Sequence, residues 1–281
     1  MKACFLFVAG TAAAVLLCPL SISGQGKAAP AKAAGNAPSP SRLVYKTPRM
    51  ADGHPDFQGT WFTNSGAAAW DIEEHGGGLG VQPGPSIIID TPDKKIPYQP
   101  WALEHRKDLI EHHAYDDPQA HCYASGVPRV NYAPFGLQIY QGRGMVTFTF
   151  ENFHLFRMVP TTPRPHVRPA AKLFMGDSRG HWEGDTLVID VTNQNGRTWL
   201  DMASNFTSDG LHVVERFRRI DENTLAYEAR MTDPKVYTRP WTMAFTLRRE
   251  KDPNYELLEL ACSEGEQDLI HYPADQGAPK R

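Results

Sequence analysis

The chain has 281 residues, 41% of them hydrophobic and 22% charged, which is enough apolar material for one large folded core. Its formal charge of −3 is spread without a long block of either sign, which argues against nucleic acid as a partner. Only four cysteines occur, and they are too scattered to suggest a thiolate metal site.

In chain order, residues 1–23 read as a secretory signal peptide, with Lys2 ahead of an apolar run from Ala3 to Leu20 and small residues at Ser21, Ser23 and Gly24. The run is interrupted by Gly10 and Pro19 and is short against the ~20 apolar residues a membrane helix needs. No later stretch is apolar enough to span a bilayer, so the mature chain is expected to have no stable membrane span and to be periplasmic or secreted. Cys4 and Cys18 leave with the leader, and Cys122 and Cys262 remain in an oxidising compartment, where one disulfide is the simplest reading. Residues 24–50 are rich in Ala, Pro, Gly and Lys and read as a disordered linker. Residues 51–281 read as a single β-rich domain.

The first part of that domain, residues 51–134, is loop-rich and carries one helix, "PWALEHRKDLIEHH", opened by Pro100 and with Leu103, Leu109 and Ile110 as a modest apolar face. Earlier, "FQGTWF" sets Gly59 two residues before Trp61, similar to the Gly-x-Trp opening of lipocalin-type barrels. From about residue 135, short β-prone runs alternate with turns: "LQIYQ", "MVTFTFE", "HLFRMVP", "GHWEG", "DTLVIDVTN", "LHVVERFRRI", "TLAYEARMT", "WTMAFTLRR" and "YELLELACS". Leu225, Tyr227, Ala229 and Met231 share one face of their run, as do Trp241, Met243, Phe245 and Leu247 of theirs. Such a series, with too few helices to cover a parallel sheet, predicts a mainly β fold, an antiparallel up-and-down barrel or strongly curved meander of lipocalin-like type.

Three patterns bear on chemistry. Gly176-Asp177-Ser178-Arg179-Gly180 satisfies G-x-S-x-G, but a nucleophile elbow needs a helix after the serine, and glycines and a β-branched run follow instead. Gly184-Asp185 reads as a hairpin turn, which makes the motif part of a β-hairpin. On the predicted helix, His105, Asp108 and His112 fall on one face, but the two histidines sit about 10 Å apart along the axis at ~1.5 Å per residue. That is too far for one ion, so no metal and no cofactor is expected, and the face reads as solvated.

The third pattern is a set of ionisable residues inside β runs. Glu151 ends one run, Arg157 and Asp190 interrupt two others, and His212, Glu215 and Arg216 lie in "LHVVERF". If Leu211, Val213 and Phe217 face inward, Glu215 does too, and an inward carboxylate is either paired, as in a buried Glu–Arg contact, or functional. His212 and Arg216 share the other face. The proline-rich loop "TTPRPHVRP" places Arg164 and His166 just after a strand, where binding and catalytic groups commonly sit.

The blocks "MGDSRGHWEGDTLVIDVTNQNGRTWLD", "LHVVERFRRID", "MTDPKVYTRPWTM" and "ELLELACSEGEQD", with "CYASGVPR" and "PDFQGTW" upstream, resemble a large family of secreted bacterial proteins usually described as hypothetical. The resemblance runs from about Asp52 to Asp268. Its pattern places an acidic residue at Glu151, arginine at Arg157, Trp-Glu-Gly-Asp at Trp182 to Asp185, a Glu-Arg pair at Glu215 and Arg216, and cysteines at Cys122 and Cys262. The chain departs from it after Arg157, where "TTPRPHVRPAAKL" replaces a more acidic segment. The resemblance implies export and a single domain, and no reaction.

Together these features suggest an exported small-molecule enzyme, a lyase, isomerase or hydrolase that uses acid/base chemistry on a compact apolar or aromatic ligand in a barrel cavity. Glu215, His166, Arg157 and His212 are the candidate catalytic residues. Glu151, Asp190, Tyr227, Tyr237 and Trp199 are candidates for ligand binding. A periplasmic ligand carrier without chemistry and an envelope structural or interaction protein are the alternatives.

Overall fold

Strand-forming segments follow the alternation described above, because a run with every second residue apolar buries that face only when extended. The computed structural model describes residues 45–77 and 81–262. The expected leader and most of the linker lie outside these residues, as does the chain after Cys262. Among the described residues one α-helix, α1 (Pro100–His112), precedes eight of the nine strands. The strands are β1 (Gly59–Thr63), β2 (Leu137–Gly142), β3 (Met145–Phe150), β4 (Phe156–Pro160), β5 (Asp177–Glu183), β6 (Thr186–Thr192), β7 (His212–Asp221), β8 (Thr224–Thr232) and β9 (Trp241–Arg249). The fold is mainly β, a nearly closed antiparallel barrel.

The strands form a single sheet in the order β4-β3-β2-β1-β9-β8-β7-β6-β5. Two meanders, β1 to β4 and β5 to β9, are joined by an antiparallel ladder that pairs Trp61 with Arg249. Every ladder is antiparallel. An odd number of strands cannot close under that rule, so the end strands β4 and β5 run in the same direction. They meet through side chains. Arg157 reaches Ser178, and farther along both strands a Cβ added at Gly180 would lie 2.8 Å from Val159 Cγ1 and 3.1 Å from Thr161 Cγ2. Parallel neighbours need a long crossover, and the connection over residues 161–176 supplies it.

The expected inward faces are buried. On β8 and β9 these are Leu225, Tyr227, Ala229 and Met231, then Trp241, Met243, Phe245 and Leu247. On β7, Val213, Glu215 and Phe217 are all fully buried. The Phe148 and Phe217 rings, from strands that are not neighbours, meet 5.4 Å apart across the interior. Trp61 is fully buried, and its Nε1 donates to the Phe57 carbonyl at 2.9 Å. The Arg249 guanidinium lies 4.4 Å from the Trp61 ring centroid. Gly59 makes room for it: at φ +118° a Cβ there would stand 2.3 Å from Arg249 Nη1.

Three boundaries differ from expectation. "HLFRMVP" becomes a strand only at Phe156, because Phe153 and His154 take left-handed backbone angles of 59° and 52°. "GHWEG" extends back to Asp177 and absorbs the G-x-S-x-G serine into β5. "YELLELACS" forms no strand over its described residues, 255–262: β1 already holds the free edge of β9, and the segment instead crosses Glu151, with one isolated bridge from Asn152 to Leu260.

Between α1 and β2 the chain turns inward, and residues 125–133 are buried without a break. A buried irregular backbone must find partners. The Gln194 amide supplies two of them, donating to the Val127 carbonyl at 2.9 Å and accepting from its N–H at 3.3 Å. Arg129 anchors the segment by paired hydrogen bonds of 2.7 and 2.6 Å to the buried carboxylate of Asp117. Cys122 and Cys262 stand at bonding distance, S–S 2.10 Å, with their Cα atoms 5.4 Å apart.

Candidate functional site

Alternation along β5, β6 and β7 splits the ionisable residues between two faces. Ser178 on β5 pairs in register with Val191 on β6, and Ile189 with Glu215 on β7. These positions face the interior. Arg179 pairs with Asp190, which with Asp177 and His212 belongs to the outer face.

Inside, Glu215 is fully buried and Arg157 nearly so. Arg157 Nη1 donates to Glu215 Oε1 at 3.1 Å, and Nη2 donates to Oε2. Oε1 also accepts from Asn131 Nδ2 at 2.8 Å and from the Tyr227 hydroxyl at 2.9 Å. Arg157 Nε donates to Ser178 Oγ at 2.9 Å, and its guanidinium lies 5.8 Å from the Phe148 ring centroid. Burial, and secondarily the Glu215 charge, hold the Tyr227 phenol well above its usual range, so it serves as a donor. The Ser178 hydroxyl thus binds an arginine, on a strand rather than at the strand-to-helix turn a nucleophile elbow requires.

Outside, a chain of alternating acids and histidines runs across the strands. Arg179 Nη1 donates to Asp177 Oδ1 at 2.7 Å, and Asp177 Oδ2 lies 2.7 Å from His166 Nδ1. His166 Nε2 is 2.8 Å from Asp190 Oδ1, and His212 Nε2 is 2.6 Å from Asp190 Oδ2. The hydrogen bond to Asp190 raises the His212 pKa despite partial burial, and the same bond lowers that of Asp190. His212 Nδ1 makes no hydrogen bond among the described residues. The ring borders an open cleft of about 340 Å³ whose lining includes His166, Lys172, Asn193, Asp209 and Leu211. Lys172 donates to the Asp209 carbonyl at 2.6 Å, and Lys235 to its carboxylate at 2.6 Å.

The sequence candidates therefore fall into two groups and a remainder. Glu215, Arg157 and Tyr227 meet inside the barrel, while His166, Asp190 and His212 meet outside it. Glu151 lies apart, accepting from the Gly136 N–H at 3.0 Å and the Tyr255 hydroxyl at 3.2 Å. Tyr237 donates to the Phe206 carbonyl at 3.1 Å, and Trp199 is buried with a backbone bridge to Phe206. Arg164 is exposed and, among the described residues, donates to Thr162 alone, at 3.5 Å. On α1, His112 pairs with Asp108 at 3.0 Å, whereas His105 packs edge-on against Phe206. Among the described residues no group of three or more metal-ligating side chains is placed to hold an ion.

Sequence reasoning missed Asn131, Asp177, Lys172 and Asp209 as site residues, since they lie in a short 3-10 helix, at a strand end, in irregular chain and in a turn, where periodicity is silent. It also passed over the environment of Asp201, which is fully buried and accepts backbone N–H bonds from Ile72, Ala203 and Asn205 at 3.0, 3.0 and 3.1 Å. Burial, reinforced by the nearby charge of Asp71, pushes its pKa up to about 7.

Fold and site define a nearly closed barrel with one polar cluster sealed inside and an acid–histidine chain on its outer wall. No protein-family model matches the chain, and no curated protein does. Among solved structures, it is similar to a secretary abundant heat soluble (SAHS) protein from Ramazzottius varieornatus, at a TM-score of 0.30 and 7% identity, over 69% of this chain and 95% of that one.

Proposed function

We propose that the protein is an exported small-molecule enzyme working by cofactor-independent acid/base chemistry, with His212 as the proton-transferring group at the outer cleft. The observation that carries this reading is the 2.6 Å bond from His212 Nε2 to Asp190, which leaves Nδ1 without a partner among the described residues beside the cleft. A carboxylate that holds one imidazole nitrogen as a donor leaves the other able to accept a proton from a bound ligand and return it. His166 and Asp177 fix Asp190 from behind, and Arg179 holds Asp177. They are positioning residues in this scheme. Lys172 supplies a cation at the cleft for developing negative charge. Glu215 and Arg157 are bonded to one another within the wall, so we assign them to holding the barrel together rather than to the reaction.

The runner-up is a carrier that binds at the same cleft without chemistry, favoured by the apolar contribution of Val167, Pro169 and Leu211 to its lining. Mass-spectrometric screening of small lactones, esters and carbonyl compounds with the wild-type and H212N proteins separates the two. The enzyme reading expects conversion by the wild type, lost in H212N with ligand retention unchanged. Retention by both proteins with conversion by neither would establish the carrier.

A further inference from the structure

The barrel interior already has an occupant, and it is the chain itself. Residues 125–133 run continuously buried, and at their inner point Asn131, only 1% exposed, directs its amide nitrogen at two oxygens. Nδ2 lies 2.8 Å from Glu215 Oε1 and 3.2 Å from the Tyr227 hydroxyl, both on inward positions of the wall. Asn131 Oδ1, by contrast, is buried and has no hydrogen-bond partner among the described residues. A buried acceptor left unpaired is uncommon and calls for an explanation. The wall recognises the NH2 half of this side chain and leaves its carbonyl half unmet.

We infer that the Glu215–Tyr227 face of the barrel interior is a binding site for a primary carboxamide, filled in cis by Asn131. The chemical class follows from charge and hydrogen-bond count. Two acceptors converge on one nitrogen, so the group that fits there carries two N–H bonds. Glu215 is already neutralised by Arg157, so an ammonium or guanidinium placed beside it would bring an uncompensated charge into the interior, which is strongly unfavourable. A neutral NH2 meets both conditions, and an N,N-disubstituted amide meets neither acceptor. The segment 125–133 is then a resident competitor for this site. A ligand that presents a primary amide, and also offers its carbonyl a donor, makes the bond Asn131 leaves unmade. This site is separate from the outer cleft and stands on different residues.

The test is chemical complementation in the disulfide-bonded chain. Asn131→Gly removes the side chain and opens the space it fills, and acetamide is the probe. The variant is expected to melt below the wild type. Acetamide should raise its melting temperature by about 2–4 °C, the shift that an about fivefold change in the folding constant produces in a domain of this size, while leaving the wild type unmoved. N,N-dimethylacetamide and methylammonium should do neither. Equal shifts in the wild type and the variant, equal shifts with dimethylacetamide, or a variant that melts with the wild type would each overturn the assignment. If Asn131→Gly does not fold, its refolding yield from denaturant is the readout. Recovery in acetamide alone supports the site, and equal failure in all three additives refutes it.

Discussion

Arg157 Nε donates to Ser178 Oγ at 2.9 Å across the seam between β4 and β5, the one junction of the barrel where no backbone ladder joins the strands. The same guanidinium continues to Glu215 on β7, so one side chain from β4 ties two strands beyond the seam. A residue pattern that spells a hydrolase motif serves here as one jaw of that tie.

Removing the cation should therefore cost more than removing the serine. Arg157→Met leaves the fully buried Glu215 carboxylate uncompensated, a loss of about 3–5 kcal/mol for a buried pair. Ser178→Ala leaves one buried N–H unpaired, about 1–3 kcal/mol. The double variant Arg157→Met, Glu215→Leu should recover only part of the first loss, because it also removes the acceptor that Asn131 and Tyr227 share. Urea unfolding of the three proteins checks the order, and Ser178→Ala should keep any turnover the wild type has.

The His212–Asp190 bond predicts a pH window. The folded pKa of His212 is raised, so its contribution is full below the unfolded histidine value and is lost as pH rises through the raised one. The folded pKa of Asp190 is lowered, so its contribution is present above the unfolded value and is lost as pH falls through the lowered one. The pair is strongest between these limits. With side chains 42% and 37% exposed, solvent screening keeps its effect on stability small. The sensitive readout is an NMR titration of the His212 ring, whose midpoint should fall in Asp190→Asn.

Asp201 should make stability fall as pH rises. Its folded pKa of about 7 lies well above the ordinary carboxylate range, so the native state holds a proton that the unfolded state has released. The contribution is full below the unfolded value and is lost by about 7. Asp201→Asn should flatten that slope while lowering stability throughout, since its NH2 group faces N–H donors. Thermal melts across this range check both effects.

Replacing Cys122 and Cys262 with serine should cost about 2–5 kcal/mol, because the two cysteines are 140 residues apart in sequence. It should also loosen the segment from Tyr255 to Leu258 that Glu151 holds. Hydrogen exchange at the Leu258 amide and calorimetry of the two proteins measure these effects separately.

Local regularity made much of the barrel legible. Apolar alternation assigned the inward faces of β8 and β9 residue by residue, and the frame set by Val213 and Phe217 put Glu215 inside. The turn at Gly184-Asp185 was readable because Gly184 takes φ +58° at the first position of a two-residue hairpin loop. Three things were not legible. The pairing of β1 with β9 joins segments from opposite ends of the domain, which no local pattern encodes. The buried stretch 125–133 has no period, because Gln194, Arg129 and Asn131 satisfy it one contact at a time. The meeting of His166 with Asp190 depends on the path of an irregular crossover, so the alternation that placed Asp190 outside could not bring its partner to it.

The join between β1 and β9 also sets an order of assembly. Most strand pairs within the two meanders join segments close in sequence, which form early because little loop entropy is lost, whereas β1 reaches β2 across residues 64–136. The ladder from Trp61 to Arg249 is the longest-range pairing in the sheet, and the barrel cannot close until it forms. A chain synthesised N-terminus first therefore exposes the edge of β1 that faces β9 until its last strand is made. An unpaired edge is an invitation to other chains, so the hazardous interval in this protein's life is the wait for β9.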